Sequence, residues 1–242
     1  MLQVFRKELN SALNSLIAYL IIGVFLAGIG LLMWVFPETS VLDYGYAEMS
    51  TLFDYAPYVF IFLIPAVTMH SFSEEMRAGT LELLLTRPLS NWDIVIGKYL
   101  ASLLVVTFAV LPTLVYYFTL YYLGSPMGNL DTPGIMGSYV GLLLLAASFT
   151  AIGILSSTLS SSQIVSFLTA AFVCFILYSG LSSLASIDVW GTYSLFLQQL
   201  SLVYHYEALS RGLIDSRNVI YLLSVVATLL FLARFWLSSK RW

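Results

Sequence analysis

Residues 15–36 read SLIAYLIIGVFLAGIGLLMWVF, an apolar run that contains no Asp, Glu, Lys or Arg. A helix needs about 20 apolar residues to cross the hydrocarbon core of a bilayer, so this run is long enough to span it. Five further runs are comparable, and only Arg234 places a charge within one of them, near its end. The six predicted spans are residues 15–36, 55–72, 99–123, 138–159, 164–185 and 219–237. The sequence therefore predicts an all-α polytopic membrane protein with one transmembrane domain over residues 1–242.

The composition excludes several other classes of protein. Of the 242 residues, 60% are hydrophobic and 10% are charged, whereas soluble domains carry about 25% charged residues. This excludes a soluble globular enzyme, and it also excludes a disordered chain, which requires low hydrophobicity. The net charge of −3 and the lack of a basic patch argue against nucleic acid as a partner. The single cysteine, Cys174, excludes a disulfide framework and a cysteine-based metal site.

The distribution of Lys and Arg predicts the orientation, because cytoplasmic loops carry an excess of both residues. With both termini inside, eight basic residues fall on the cytoplasmic side, and only Arg211 and Arg217 fall outside. The eight are Arg6, Lys7, Arg77, Arg87, Lys98, Arg234, Lys240 and Arg241. We therefore expect the N- and C-termini to be cytoplasmic.

Two segments outside the spans are amphipathic. In residues 2–16, leucines and Phe5 recur at helical spacing opposite charged and amide side chains, which indicates a helix lying in the inner interface, or else a polar overhang of the first span. Residues 186–218 are apolar for an outer loop but too short and too polar to span. They fit a re-entrant or surface-lying helical hairpin, or an ordinary amphipathic loop.

The substantial cytoplasmic loop, residues 73–98, predicts a helix–turn–helix element. Gly79 can end a first helix, because glycine accepts the left-handed conformation common at helix ends. Thr80 can cap a second helix, with Glu82 near its positive N-terminus. Pro88 then breaks the chain before the third span.

Ser90 and Asp93 in the same loop have the spacing of a capping box. The second short helix also places a dense group of leucines at the water boundary, where exposed apolar side chains require a cover. These leucines are Leu81, Leu83, Leu84 and Leu85. Lipid and a soluble partner are both possible covers.

Within the spans, Pro65 and Pro112 are expected to kink the second and third helices, because proline removes a backbone hydrogen bond. Gly137 and Gly141 have GxxxG spacing at the fourth span and allow close helix approach. Internal packing and dimerisation are the two uses of such a stripe.

The sequence contains no recognisable set of catalytic or metal-binding residues. Gly97-Lys98 has no preceding glycine at the spacing of a phosphate-binding loop and is followed by Tyr99. The two histidines, His70 and His205, fall on opposite sides of the membrane in the predicted topology, which leaves no metal or acid–base constellation. We expect no enzymatic activity and no bound cofactor or metal in this chain.

The loop sequence EEMRAGTLELLLTRPLS (74–90), followed by Gly97-Lys98, closely resembles the loop of type-2 ABC transporter permeases. The layout is similar too: an interfacial N-terminal helix, six spans, and a long segment before the last span. Within this family the chain is most similar to permeases associated with gliding motility, because of YHYE (204–207) and RGLID (211–215). The resemblance implies a location in the inner (plasma) membrane of a bacterium.

The resemblance also implies a set of partners. The 74–90 loop would couple to a cytoplasmic ABC ATPase subunit, which would bind ATP and Mg. A second copy or a related permease would complete the pathway among membrane lipids, and an accessory membrane or extracytoplasmic subunit is compatible with it. The implied coupling residues are Glu74, Glu75, Arg77, Gly79, Thr80, Leu81, Glu82, Leu83, Leu84, Leu85, Arg87 and Pro88.

Two functions are therefore carried forward. The first is the permease of an ATP-driven exporter that serves gliding motility or secretion. The second is a non-transporting membrane anchor or scaffold of such a machine. A channel is weaker, because no ring of charge marks a pore.

Overall fold

A computed structural model of the protein describes residues 1–86, 89–187, 193–212 and 215–239, without the side chains of Ile17, Tyr44, Leu83 and Leu85. In chain order the helices are α1 (Leu2–Leu13), α2 (Leu16–Trp34), α3 (Val41–Tyr44), α4 (Ser50–Thr68), α5 (His70–Arg77), α6 (Leu81–Leu85), α7 (Asn91–Val110), α8 (Leu114–Leu123), α9 (Thr132–Leu159), α10 (Gln163–Phe175), α11 (Leu181–Ala185), α12 (Ser194–Leu200), α13 (Leu202–Ser210) and α14 (Ser216–Ser239). A 3-10 turn over Leu111–Thr113 joins α7 to α8, and a π turn over Ile176–Gly180 joins α10 to α11.

Five continuous helical stretches of the described chain are long and apolar enough to cross a membrane. They cover residues 50–77, 91–123, 132–159, 163–185 and 216–239. A sixth crossing is obtained when α1 and residues 18–34 of α2, which meet at an angle of 66°, are counted together. These helices contain the predicted apolar runs to within two residues. The prediction of an all-α polytopic membrane protein is confirmed.

The long helices alternate in direction and so define two ends of the bundle. Helix α1, the turn between α5 and α6 and the start of α7 lie at one end, which we call the α5 end. Helices α12 and α13 lie at the other, the α13 end. Residues 73–77, predicted as the first short helix of the cytoplasmic segment, belong to α5, which begins at His70 and so overlaps the end of the predicted second span.

Helix α1 is set at an angle to the first span and packs on α7. Its buried Val4 lies against Gly97, where a Cβ atom would come within 3.1 Å of the Val4 Cβ. The glycine therefore allows the two helices to approach closely. The apolar face of α1 is only partly covered by the bundle: Val4 is buried, Phe5 and Leu9 are half-buried, and Leu2 is exposed.

Helix α9 occupies the centre of the bundle. The most apolar part of α9 is 78% buried inside the protein, whereas the most apolar part of α14 is 22% buried. Its glycines contact other helices of the same chain: Gly137 lies against the backbone of Gly212, and Gly141 lies against Leu209. Internal packing, rather than dimerisation, is thus the use of this GxxxG pair in the structure.

Helices α12 and α13 form the predicted pair of short helices before the last span. Ser201 separates them and donates a hydrogen bond from its Oγ to the Tyr178 carbonyl at 2.9 Å. The Tyr206 hydroxyl donates to the Phe53 carbonyl at 2.7 Å, in the buried interior. Helix α13 therefore belongs to the core, whereas Leu195 and Phe196 of α12 are exposed.

The two prolines predicted to kink helices lie in different settings. Pro65 lies inside α4, which continues past it, and Pro112 lies in the 3-10 turn between α7 and α8. The local change at Pro112 accords with the loss of a backbone donor. The kinks at Pro65 and Pro112 stay predictions.

A capping box starts α7, as the sequence predicts. The Ser90 Oγ accepts from the Asp93 backbone N–H at 3.1 Å, and Asp93 Oδ2 accepts from the Ser90 N–H at 3.2 Å. We expect Ser90→Ala to lower the free energy of unfolding by about 1 kcal/mol, because a backbone donor of α7 loses its acceptor. Thermal unfolding of the detergent-purified protein measures the loss, and Ser238→Ala, near the end of α14, is the control. Equal unfolding temperatures for the two variants would contradict the capping role.

Candidate functional site

The α5–α6 segment, residues 70–85, is the structural form of the predicted helix–turn–helix. Helix α5 ends in a Schellman motif, in which Thr80 N–H donates to the Glu75 carbonyl at 3.0 Å and Gly79 N–H donates to the Met76 carbonyl at 3.2 Å. Gly79 has φ +68°, the left-handed conformation predicted for it. Thr80 precedes α6 but does not cap it, which corrects the prediction. Its hydroxyl donates back to the Glu75 carbonyl at 3.4 Å instead.

At least one leucine of α6 is buried within the protein itself and needs no external partner. Leu81 is 7% exposed and packs in a core cluster with Phe72, Ile94 and Leu237. Leu84 is half-buried against the same cluster. The protein's own core therefore covers Leu81, an answer that neither predicted cover anticipated. The side chains of Leu83 and Leu85, and residues Arg87 and Pro88, lie outside the described part of the structure.

The turn between α5 and α6 is the exposed part of the segment. Ala78, Gly79, Thr80 and Glu82 are exposed, and we call these four residues the tip. Glu74 and Arg77, on α5, are exposed as well. The segment thus has a root packed in the bundle and a tip that projects from it.

Beneath the tip lies a charge cluster made of Lys7, Glu8, Glu75 and Lys98. Lys98 is only 2% exposed, and its Nζ lies 3.0 Å from Glu8 Oε1 and 3.0 Å from Glu75 Oε1. It also donates to the Ser71 carbonyl at 2.6 Å. Lys7 Nζ completes the cluster at 3.1 Å from Glu8 and 3.3 Å from Glu75. Two cations and two anions balance, which is the condition under which charges can be buried.

The charge cluster joins three separate elements. Glu8 comes from α1, Glu75 from α5 and Lys98 from α7. The ring of Phe72 adds a cation–π contact, with its centroid 5.0 Å from the Lys98 Nζ. Helices α1, α5 and α7 are therefore held together by one polar network at the α5 end.

The ionisation of Glu8 depends on this network. Burial alone would raise the pKa of the Glu8 carboxyl, but the Lys98 and Lys7 ammonium groups more than offset it and hold that pKa below its ordinary value of 4.5. A lowered pKa stabilises the fold above the ordinary value, and this stabilisation is lost as pH falls through the lowered pKa. At neutral pH Glu8 is therefore an anion within the network.

The cluster changes the reading of two residues. Glu75, predicted as a charge contact for a partner, points inward to Lys98, and its side chain is 15% exposed. Glu74, the neighbouring carboxylate, has a 59% exposed side chain and faces outward. Lys98 itself was predicted only as one of the positive charges that set orientation. The signal that could have found it is its place among apolar residues at the start of a predicted span.

At the α13 end, His205 is a fully bonded core residue. Its Nδ1 lies 2.7 Å from Asn218 Oδ1, its Nε2 lies 2.9 Å from the Gln199 carbonyl, and its ring stacks on Tyr221 at 3.9 Å. In the described residues no group of three or more His, Cys, Asp or Glu side chains is placed to hold a metal ion.

The chain matches a known protein family over nearly its whole length. A family model described as "ABC-2 family transporter protein" matches residues 2–236, a range that includes α1, the α5–α6 segment and the charge cluster. A search of curated proteins finds none that matches the chain.

Proposed function

The chain belongs to the ABC-2 family of transporter proteins, and we propose that it is the membrane-spanning subunit of an ATP-driven exporter, coupled through the α5–α6 segment to a separate ATPase. Membership makes it a permease component of an ABC transporter, an integral multi-pass membrane protein that is not itself the catalyst. The exporter, its coupling element and its partners are the proposal. ATP and Mg would bind to the partner ATPase.

The observation that carries the proposal is the contrast within the α5–α6 segment. The tip is exposed, whereas the root is fixed by the buried Leu81, the Schellman motif and the charge cluster. A coupling element must present a surface to its partner and pass on displacement without deforming. A projecting tip on a rigid root has both properties, because packed elements move as bodies rather than bending continuously.

The orientation and assembly follow from the same proposal. The Lys and Arg distribution favours a cytoplasmic location for the α5 end, where an ATPase would dock. A second copy or a related permease would complete the pathway in the inner (plasma) membrane. The gliding-motility resemblance of residues 204–207 and 211–215 supports service to motility or secretion.

A steric block of the tip tests the proposal. Ala78→Trp adds a large ring to an exposed position, so it leaves the core intact but prevents a partner from docking closely. Disruption of a docking contact by about 2 kcal/mol or more would lower association with the ATPase by more than about tenfold. Pull-down of the copurifying ATPase and permease-stimulated ATP hydrolysis are the measurements.

Asn129→Trp is the matched control, because Asn129 is also exposed but lies in the connection between α8 and α9, away from the α5 end. It should retain the ATPase at the wild-type level. Equal retention by Ala78→Trp and wild type would contradict coupling through the tip. A complex that hydrolyses ATP without moving any lipid or polypeptide would favour the membrane-anchor function instead.

A further inference from the structure

A cavity of about 450 Å³ opens at the α5 end between α1, α2, α4, α5 and α7. This volume falls within the range of about 300–1,000 Å³ that is common for small-molecule sites. The cavity is separate from the tip proposed to meet the ATPase, although α5 borders both. Three of the helices that line it, α1, α5 and α7, are joined by the charge cluster.

The lining changes from polar to apolar with depth. The polar part of the lining includes the side chains of Glu8, Ser11, His70, Glu74, Arg77 and Gln163. The floor is formed by Ala18, Ile21, Ala66, Val67 and Val105. Ala66 and Arg77 are 11 residues apart on one helical rod, or about 16 Å along it. The cavity therefore runs from a charged mouth towards the hydrocarbon region. An amphiphile has the same division into a polar headgroup and an apolar chain.

The charges at the mouth are one cation and one anion on the same face of α5. His70, Glu74 and Arg77 are spaced i, i+4 and i+7, so they follow one another along the cavity wall. In the described part of the chain the Arg77 side chain has no ion pair or hydrogen bond. Glu74 has a single ionic neighbour there, the His70 Nδ1 at 3.9 Å.

Among the described residues, the remaining charged side chain of the lining is already neutralised. Glu8 is the other carboxylate of the lining, and it is occupied by Lys98 and Lys7. A ligand therefore meets one unpaired guanidinium and one exposed carboxylate, about one helical turn apart. Balanced charge of this kind favours a balanced headgroup over an anionic one, because an added anion would also face Glu74.

We propose that this cavity binds a zwitterionic phospholipid with a primary ammonium, its phosphate at Arg77, its ammonium at Glu74 and an acyl chain along the apolar floor. Guanidinium–phosphate and ammonium–carboxylate hydrogen bonds are charge-assisted, which makes them stronger than hydrogen bonds between neutral groups. The three N–H donors of an ethanolamine ammonium suit Glu74, whereas a quaternary choline has none. Lipid binding at this site requires neither ATP nor a partner subunit, so it can be tested independently of the coupling proposal.

Native mass spectrometry of the detergent-purified permease, titrated with dihexanoyl phosphatidylethanolamine, tests the site. Arg77→Gln should weaken binding by about tenfold or more, the loss typical of one charged hydrogen-bonding group. Arg6→Gln, the same change on an exposed residue of α1 outside the cavity, should leave the affinity unchanged. Glu74→Gln should weaken the binding of dihexanoyl phosphatidylethanolamine and strengthen the binding of dihexanoyl phosphatidylglycerol.

Two further measurements distinguish binding of the lipid from binding of a free anion. Ala66→Phe fills the half-buried floor without changing any charge, so it should abolish lipid binding. Inorganic phosphate should compete only weakly with the lipid in the wild-type protein. The proposal is overturned if Arg77→Gln binds like Arg6→Gln, if phosphatidylglycerol binds as tightly as phosphatidylethanolamine, or if phosphate competes as well as the lipid.

Discussion

Replacing Lys98 by methionine is expected to lower the free energy of unfolding by about 3–5 kcal/mol, the largest effect of any single charge removal in this protein. The substitution keeps the length of the side chain but leaves Glu8 and Glu75 facing each other with only Lys7 to balance them. The Lys98 side chain is 1% exposed, so water cannot replace the lost cation. Thermal unfolding of the purified protein in detergent is the measurement.

Lys7→Met is the matched control, because Lys7 contacts the same two carboxylates with a 63% exposed side chain. Exposed ion pairs contribute about 0–1 kcal/mol, so its effect should be small. Adding Glu75→Gln to Lys98→Met should restore part of the stability, since the remaining Lys7 and Glu8 charges then balance. A Lys98→Met protein as stable as the Lys7→Met protein would show that the cluster does not hold the three helices together.

Replacing Gly153 by alanine is expected to destabilise the fold by about 2 kcal/mol or more, through overpacking between α9 and α4. Gly153 is buried, and a Cβ atom there would overlap the Thr68 side chain, with its Cβ at 2.8 Å. Thr68 cannot turn away freely, because its Oγ1 donates to the Ile64 carbonyl at 2.9 Å. The two helix backbones would have to separate, and the unfolding temperature in detergent would fall.

The same substitution at Gly23 should have the opposite sign. Among the described residues, no atom beyond the glycine's own helical surroundings lies within 4 Å of a Cβ at Gly23, in the interior of α2. Alanine gains about 1 kcal/mol over glycine in a helix when nothing obstructs it. Thr68→Ala should rescue Gly153→Ala in part, since it removes the atoms that overlap most. Equal effects of the two glycine substitutions would contradict the close packing of α9 on α4.

Local patterns in the sequence predict much of this fold. The spans follow from the length of the apolar runs, because a bilayer has a fixed thickness. The end of α5 at Gly79 and the start of α7 at Ser90 follow from rules that involve neighbouring residues alone. The amphipathic helix before the first span follows from spacing in the same way.

The charge cluster could not be predicted from such patterns. Lys98 and Glu8 are 90 residues apart in the chain, and neither one carries a local sign of the other. The same limit applies to α9, where the small residues indicate close packing but not that Gly153 meets Thr68. Thr80 shows the reverse failure, because a good capping residue instead donates its hydroxyl hydrogen bond to the Glu75 carbonyl. Long-range partners are decided by the tertiary fold.

The charge cluster also has a consequence for how the chain is made. Helix α1 is synthesised first, but the residues that hold it, Glu75 and Lys98, follow 68 and 90 residues after their partners Lys7 and Glu8. Until the start of α7 has left the ribosome and entered the membrane, the Glu8 carboxylate lacks its buried cation. We therefore expect the N-terminal helix to take its final position only after the start of the third membrane crossing has been made.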